Sequence, residues 1–297
     1  MKTQKIRDFI NNISEKPILT TTIVFLITCL LVFVFTYPLY RDDPSSYFKS
    51  IVIEAHSMIF DLGIIGILLL WLNKSGEKRI RIKRNQDEID DIRFWKSQEA
   101  SYRILANIKR LIRDEVYKLD LNNCYLKSIN LNFANLKESN LNYADLEQCS
   151  LIDTNLTHAR LNQAIIVEAN LNRANLSDSL LSGANLQRVK GIKTNFERAC
   201  LIKANLTDAF LIDANFQDAD LSGADLTNAN FYMPDFRGAR GLVPEQLAVV
   251  KSIVKPKMDQ ELLDALNEQF PHILGGGASP QDNKNKEGGV AVSNNAA

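Results

Sequence analysis

Apolar residues follow three different patterns along the 297-residue chain. Residues 17–40 and 51–72 are two long apolar runs, each about the length of one membrane-spanning helix. Between residues 102 and 116 apolar residues recur at helical spacing, at Tyr102, Leu105, Ile108, Ile112 and Val116. From Leu121 onward an apolar residue returns at every fifth position, which is the period of neither a helix nor a strand.

The two apolar runs predict a transmembrane hairpin within residues 1–73, because only the short segment 41–50 joins them. The first run is too long for the apolar region of a signal peptide, and no small-residue cleavage motif follows it. Basic residues are concentrated before the first run and after the second. The positive-inside rule therefore predicts that both termini are cytosolic.

Three polar residues interrupt the second run. Glu54 and His56 are near its outer end, whereas Asp61 is near its middle, where a charged side chain costs about 2.5–3.5 kcal/mol. Glu54 and Asp61 are seven residues apart and so share one helix face. Three interpretations stay open: a hydrogen bond from protonated Asp61 to Thr28, a contact between copies, or an ion path that would require several copies.

Residues 74–118 predict an interrupted cytosolic helix whose end covers the first turn of the following domain. This segment contains no proline, and its first third is basic. The basic cluster at 78–84 can attract anionic lipid headgroups, with a contribution of about 1 kcal/mol per charge.

The period of five extends over 24 positions without a change of phase, from Leu121 to Phe236. In most repeats a small residue stands two positions before the large apolar one, with Asn or Asp between them. Residues two apart point to the same side of extended backbone, so the small and the large residue both face inward. The two remaining residues must turn the chain. Each repeat is thus one side of a coil, and neighbouring coils supply its core.

The repeats "ANLNR", "ANLSD" and "ADLSG" resemble those of pentapeptide-repeat proteins, and the resemblance covers residues 119–241. It implies an all-β solenoid, a right-handed quadrilateral β-helix of about six coils with four repeats per coil. Residues twenty apart then stack, so a single inward column contains Leu136, Leu156, Leu176, Phe196, Phe216 and Phe236. Gly191 is the one exception in the period of five, and it predicts a bulge or a local cavity.

The C-terminal end of the solenoid needs a cover, because an open coil exposes backbone and core. Residues 242–272 predict a helical cap, with Pro244 in a first helical turn and Pro256 between two short helices. Residues 273–297 are rich in Gly, Asn and Ser and predict a disordered tail.

Charge and composition exclude several functions. Lys plus Arg equals Asp plus Glu, 35 against 35, so nucleic-acid binding is not expected. The three histidines are far apart, and the four cysteines lack metal-site spacing and are interpreted as small buried residues in a reducing compartment. No nucleotide-binding, hydrolase or metalloprotease motif is present. We expect no enzyme activity, no metal and no cofactor.

These features predict a non-enzymatic scaffold in the bacterial inner membrane that presents its repeat rod to a protein partner. Membrane lipids and a homodimer or higher oligomer are further expected contacts. The alternative is an oligomerising membrane effector or ion-conducting assembly, since members of the resembling family with membrane spans occur in bacterial defence. Some soluble members resemble DNA and bind DNA gyrase, but this rod is shorter and only mildly acidic.

Overall fold

The computed structural model describes residues 22–23, 25–30, 34 and 46–274. They belong to two compact units, Met1–Lys83 and Arg84–Ala297. Most of the first predicted span lies outside the described residues, and so does the predicted tail from residue 275 onward. The described residues of that span, 22–23, 25–30 and 34, are helical.

Helix α1, Ser46–Ile92, is a single helix of 47 residues. No proline occurs in it to break the backbone ladder, so the predicted domain boundary at residues 73 and 74 falls inside a continuous helix. Within the first unit, the Phe25 ring centroid lies 6.0 Å from that of Phe60. The Phe25 ring also occupies the space that a β-carbon on Gly63 would take. The segment around Phe25 therefore packs against α1.

Helix α2, Gln98–Arg113, is capped at its N-terminus by Ser97, whose side chain accepts a hydrogen bond from the backbone N–H of Ala100. The prediction that the apolar residues between Tyr102 and Val116 form the buried face of this helix was partly wrong. Ile108 is fully buried as expected, but Tyr102 is 58% exposed. The buried set is shifted along the helix and comprises Ala100, Ser101, Ile104, Asn107, Ile108 and Leu111. The reason is that Ser101 is turned toward the repeats, where its hydroxyl donates to the Tyr125 carbonyl.

The repeats form stacked coils in which residues twenty apart pair in parallel, from Asp120 with Asn140 to Asp220 with Arg240. At each pairing, each of the two coils donates one backbone N–H to a carbonyl of the other coil. The Leu121 N–H donates to the Asn140 carbonyl at 2.7 Å, and the Asn140 N–H donates to the Leu119 carbonyl at 2.8 Å. A spacing of twenty means four repeats per coil, so the predicted quadrilateral β-helix is confirmed. Its leucines fill the interior and are fully or almost fully buried.

The turns between repeats explain the Asn and Asp of the repeat. In most turns the residue three after the inward leucine donates back to the leucine carbonyl, as Cys124 does to Leu121 at 3.1 Å. The second central residue of each turn has a positive φ, 56° at Asn123, which is a feature of type II turns. The Asn or Asp before the leucine accepts the N–H two residues later, as Asn195 does from Glu197 at 3.0 Å.

On one face, the later coils open into regular strands. These are β1 (Lys190–Ile192), β2 (Phe210–Ile212), β3 (Asn230–Tyr232) and β4 (Ser252–Val254). They form one parallel sheet in the order β1-β2-β3-β4. In each strand the central residue points inward and is buried, and the two flanking residues point outward.

The C-terminal cap consists of helix α3 (Pro244–Ala248), strand β4 and helix α4 (Gln260–Gln269). Pro244 is in the first turn of α3, as the sequence suggested. The connection between the helices is a strand, because the Val254 carbonyl accepts the Met233 N–H at 2.7 Å and so continues the stacking. The pairing spacing here is 22 residues, since Asn230 pairs with Ser252.

Candidate binding surface

The outward side of the β1–β4 sheet carries a continuous apolar surface. Ile192, Ile212, Tyr232 and Val254 are aligned by the strand register, and Phe210 stands beside them in β2. Ile192, Phe210 and Tyr232 are each about two-fifths exposed, and Ile212 and Val254 are half-buried. We call these five residues the sheet face.

The other three faces of the same coils are polar at most of the equivalent positions. Leu180 is an exception, since it is 43% exposed at the position before the inward residue that Phe210 occupies in β2. The residue that follows the inward side chain is Ile192, Ile212 or Tyr232 on the sheet face. On the remaining faces, the corresponding residues are Ser182, Gln187, Glu197, Ile202, Thr207, Gln217, Ser222, Thr227 and Arg237. Only Ile202 among these is apolar. Contiguous apolar surface on a soluble domain typically marks an interaction site.

Lysines border the sheet face at both ends. Lys190 and Lys193 are exposed at the β1 end, and Lys251 and Lys255 are exposed at the β4 end. Their side chains make no ion pair among the residues that the structure describes. Asp213 is the one carboxylate in the turns that follow β1 to β4, and it is only half-exposed. The sheet face is therefore apolar in the centre and basic at its ends.

Three arginines of the middle coils, by contrast, form ion pairs along the rod. Arg173 pairs with Asp153, Arg198 with Asp178 and Arg188 with Glu168, each with the acid twenty residues earlier. The bonds to Arg173 and Arg198 hold the pKa values of Asp153 and Asp178 below their usual range. A guanidinium group that is paired with a carboxylate is less available to a phosphate group than a free one.

The predicted inward column is buried throughout, from Leu136, Leu156 and Leu176 to the three phenylalanines. The Phe216 ring is stacked between Phe196 and Phe236, with centroid distances of 4.9 and 5.2 Å. Phe231 meets both Phe216 and Phe236 edge-on. These rings fill the core and are not available to a ligand.

Gly191 does not border a cavity. A β-carbon there would overlap the Thr194 hydroxyl and would lie 2.7 Å from Leu211 Cδ2. The Thr194 hydroxyl is itself held by the Leu171 carbonyl, to which it donates at 2.9 Å. Gly191 is thus the centre of β1 and leaves the space that Thr194 occupies.

The three polar residues of the predicted second span all lie in α1. Glu54 and Asp61 are exposed, whereas His56 is half-buried. No hydrogen bond joins Asp61 to Thr28 among the described residues. The residues of the rod and the polar residues of α1 belong to different units, and each set is a separate candidate.

Nucleophilic and metal-binding chemistry finds no support in the described part of the chain. No group of His, Cys, Asp and Glu there could hold a metal ion. Cys124 and Cys149 are buried, and burial raises the pKa of both thiols to about 12, so they stay protonated at neutral pH.

The sheet face was missed by sequence reasoning. The period of five identifies inward positions only, whereas the outward residues vary from repeat to repeat. A signal was nevertheless present, because Ile192, Ile212 and Tyr232 recur at a spacing of twenty. This signal becomes visible when the sequence is written in rows of twenty residues, the length of one coil.

Several solved structures are similar to part of this chain. HetL, a protein involved in heterocyst differentiation regulation from Nostoc sp. strain PCC 7120, is 25% identical, with a TM-score of 0.37, and the match covers 48% of this chain and 70% of HetL. A trypsin-treated form of QnrB1, a plasmid-mediated fluoroquinolone resistance protein, is 21% identical, with a TM-score of 0.39, over 50% of this chain and 75% of that one. A pentapeptide repeat protein from the Arabidopsis thaliana thylakoid lumen is 25% identical, with a TM-score of 0.29, over 41% and 73%.

Among curated proteins, none matches this chain. The comparison with family models gives eight copies of the pentapeptide repeat, at residues 129–166, 169–208 and 204–240. These segments coincide with the coils that pair at a spacing of twenty. By its repeats, the segment 129–240 belongs to the pentapeptide-repeat family.

Proposed function

We propose that this chain is a membrane-anchored, non-enzymatic binding protein whose repeat rod docks a protein partner on the sheet face. In this proposal the rod supplies a fixed surface and the N-terminal helices hold it at the bacterial inner membrane, with both termini in the cytosol. The observation that carries the proposal is the sheet face itself, a set of five apolar residues that the strand register aligns on one side of the rod.

Membrane anchoring is supported by the composition of α1. Its part from His56 to Ile92 has the length and apolar character of a membrane-spanning helix. Leu62, Ile65 and Leu69 are each more than half exposed within the chain. In water such a surface would be a large unburied apolar area, whereas in hydrocarbon it is solvated by lipid.

A two-helix hairpin is supported by the contact around Gly63. The missing side chain of this glycine lets the Phe25 ring approach the α1 backbone, and small residues commonly allow such close packing between membrane helices. Phe60 extends the same contact one turn away. We therefore propose that residues 17–40 form the first span and pair with the second.

The partner is characterised by the charges around the sheet face. Lys190 and Lys193 at one end, and Lys251 and Lys255 at the other, favour carboxylates opposite them. The centre favours aliphatic or aromatic side chains. The partner surface is therefore a protein segment with apolar residues bordered by Asp or Glu.

Two isoleucines allow a matched test of this proposal. Ile202 and Ile212 occupy equivalent positions in one coil on different faces, and both are half-buried. A protein that co-purifies in stoichiometric amount with the membrane-extracted chain should be retained by Ile202→Lys and lost from Ile212→Lys. Loss from both variants or from neither would contradict docking on the sheet face.

The charge requirement is tested on the same complex. Lys193→Glu combined with Lys255→Glu should weaken binding at least tenfold, and raised salt should weaken the wild-type complex in the same direction. A complex that is insensitive to both changes would require a different partner surface.

A further inference from the structure

Asp61 and Glu54 lie on the side of α1 opposite its contact with the segment around Phe25. Gly63 marks the contact side, because the Phe25 ring covers it. At about 100° per residue, Asp61 is about 160° and Glu54 about 180° around the helix from Gly63. Both side chains are exposed.

The rest of this side of α1 is also uncovered. Met58, Ile65 and Leu68 follow Glu54 and Asp61 at spacings of three and four residues, so the five residues form one continuous helix face. Met58 is 65% exposed, and Ile65 and Leu68 are each 51% exposed. The residues on the opposite side, His56, Ile59 and Gly63, are half-buried. We call the first set the carboxyl face.

A membrane position makes this arrangement costly for a single chain. A charged aspartate at the centre of a span costs about 2.5–3.5 kcal/mol, and a protonated one still lacks a hydrogen-bond partner in lipid tails. The cost falls when another polar group is placed at the same depth. All copies insert with the same orientation, so a second copy brings its own Asp61 to this depth.

We propose that two or more copies of this chain pair through their carboxyl faces, with the α1 helices parallel. The Asp61 side chains of neighbouring copies then form a hydrogen bond with each other, and Met58, Ile65 and Leu68 pack around the pair. This pairing rests on the proposed membrane anchoring, and it is independent of docking on the sheet face.

Two adjacent isoleucines provide a matched cross-linking test. Ile65 is on the carboxyl face, whereas Ile64 lies about 100° from Gly63, outside this face, and is similarly exposed at 47%. The full chain with Cys29→Ser and Cys200→Ser is oxidised with copper phenanthroline in native membranes. Ile65→Cys should give at least five times more disulfide-linked dimer than Ile64→Cys. Equal yields, or no dimer in either, would overturn the pairing.

The role of Asp61 is tested in the same background. Asp61→Asn retains a donor and an acceptor and should keep the cross-link of Ile65→Cys, whereas Asp61→Leu should reduce it at least fivefold. An unchanged yield with Asp61→Leu, or a cross-link of Ile65→Cys mainly to a different protein, would overturn the proposal.

Alkaline carbonate extraction separates the two proposals. A chain released into the soluble fraction would contradict the membrane anchoring and, with it, the pairing. A chain that stays in the membrane pellet but gives no dimer would contradict the pairing alone.

Discussion

The guanidinium of Arg93 donates a hydrogen bond of 2.9 Å to the carbonyl oxygen of Asn122 at the N-terminal edge of the first coil. In the next coil the equivalent carbonyl, that of Asn142, accepts the backbone N–H of Asn123 from the coil before it. The Ser101 hydroxyl likewise donates to Tyr125 at 3.0 Å. Side chains from the connection before α2 and from α2 therefore supply hydrogen-bond donors that a neighbouring coil supplies elsewhere, and they cover the backbone edge of the first coil.

The contacts of Arg93 and Ser101 with the first coil should contribute measurably to the stability of the chain. Ser101→Ala leaves the Tyr125 carbonyl without its donor, and we expect it to lower the free energy of unfolding by about 1–2 kcal/mol. Arg93→Met should cost at least as much, because it also removes the ion pair with Asp120. Chemical unfolding of the full chain in detergent, followed by circular dichroism, measures both. Lys109→Ala on the exposed side of α2 is the control. Equal unfolding midpoints for all three variants would contradict a stabilising role of Arg93 and Ser101 at the edge of the first coil.

Gly191 should tolerate no side chain. Gly191→Ala places a methyl group against Thr194 and Leu211, and overpacking of this kind costs about 1–3 kcal/mol. The double variant with Thr194→Ala should be less destabilised than the sum of the single variants, because it removes the overlapping hydroxyl. Strict additivity in unfolding measurements would show that the overlap is not the cause.

Substitution of Phe216 in the core and of Phe210 on the sheet face should affect stability and partner binding differently. Phe216→Ala removes the central ring of the stack and should destabilise by about 3–5 kcal/mol. Phe210→Ala, on the sheet face, should change stability by less than about 0.5–1 kcal/mol but weaken partner binding. Thermal unfolding and partner co-purification distinguish the two variants. A large loss of stability from Phe210→Ala would mean that this side chain belongs to the core.

Acid should weaken the late coils. Asp220 and Asp225 accept hydrogen bonds of 2.6 Å from the Ser222 and Thr227 hydroxyls, and these bonds lower the pKa of both carboxyls. Because the unfolded chain has the higher pKa, about 3.9, their stabilisation is complete above this value and is lost as pH falls through the folded-state pKa values. The free energy of unfolding should therefore fall below about pH 4.

Asparagine variants provide the control for this pH dependence. Asp220→Asn with Asp225→Asn keeps the accepting oxygen and removes the titration, so the decrease in stability below pH 4 should be smaller than in the wild type. The comparison uses unfolding midpoints at pH 7, 4 and 3. An identical decrease in both proteins would assign the effect to other carboxyls.

The inward positions of the coils could be predicted from the sequence, because an apolar residue returns at every fifth position, whereas four repeats per coil was implied by the resemblance to pentapeptide-repeat proteins. A leucine every fifth residue fixes which side chains fill the interior, and the pairing of Asp120 with Asn140 confirms the coil length. The same logic failed for α2, where Ile104 and Leu111 are buried in place of Tyr102. Several sets of apolar residues fit a helical period in that segment, and only the tertiary contact of Ser101 with the first coil selects one.

The candidate surfaces were less predictable for a similar reason. Asp61 could be recognised as unusual from its place in an apolar run, but the side of α1 it occupies becomes meaningful only once Gly63 is known to contact Phe25. The sheet face depends on the alignment of Ile192, Ile212 and Tyr232 across separate coils. Neither relationship is visible in local sequence.

Docking of a protein partner on the sheet face is tested most directly by photo-crosslinking in living cells. The cross-linker is placed at position 232 on the sheet face and, for comparison, at position 222, the equivalent position on another face of the same coil. A benzophenone side chain in place of Tyr232 should capture one protein in the membrane fraction, through a segment of apolar residues bordered by Asp or Glu. The same group in place of Ser222 should capture little, and Lys193→Glu with Lys255→Glu should abolish the product. Equal capture from both positions, or adducts only with lipid or with a second copy of this chain, would contradict the proposed docking.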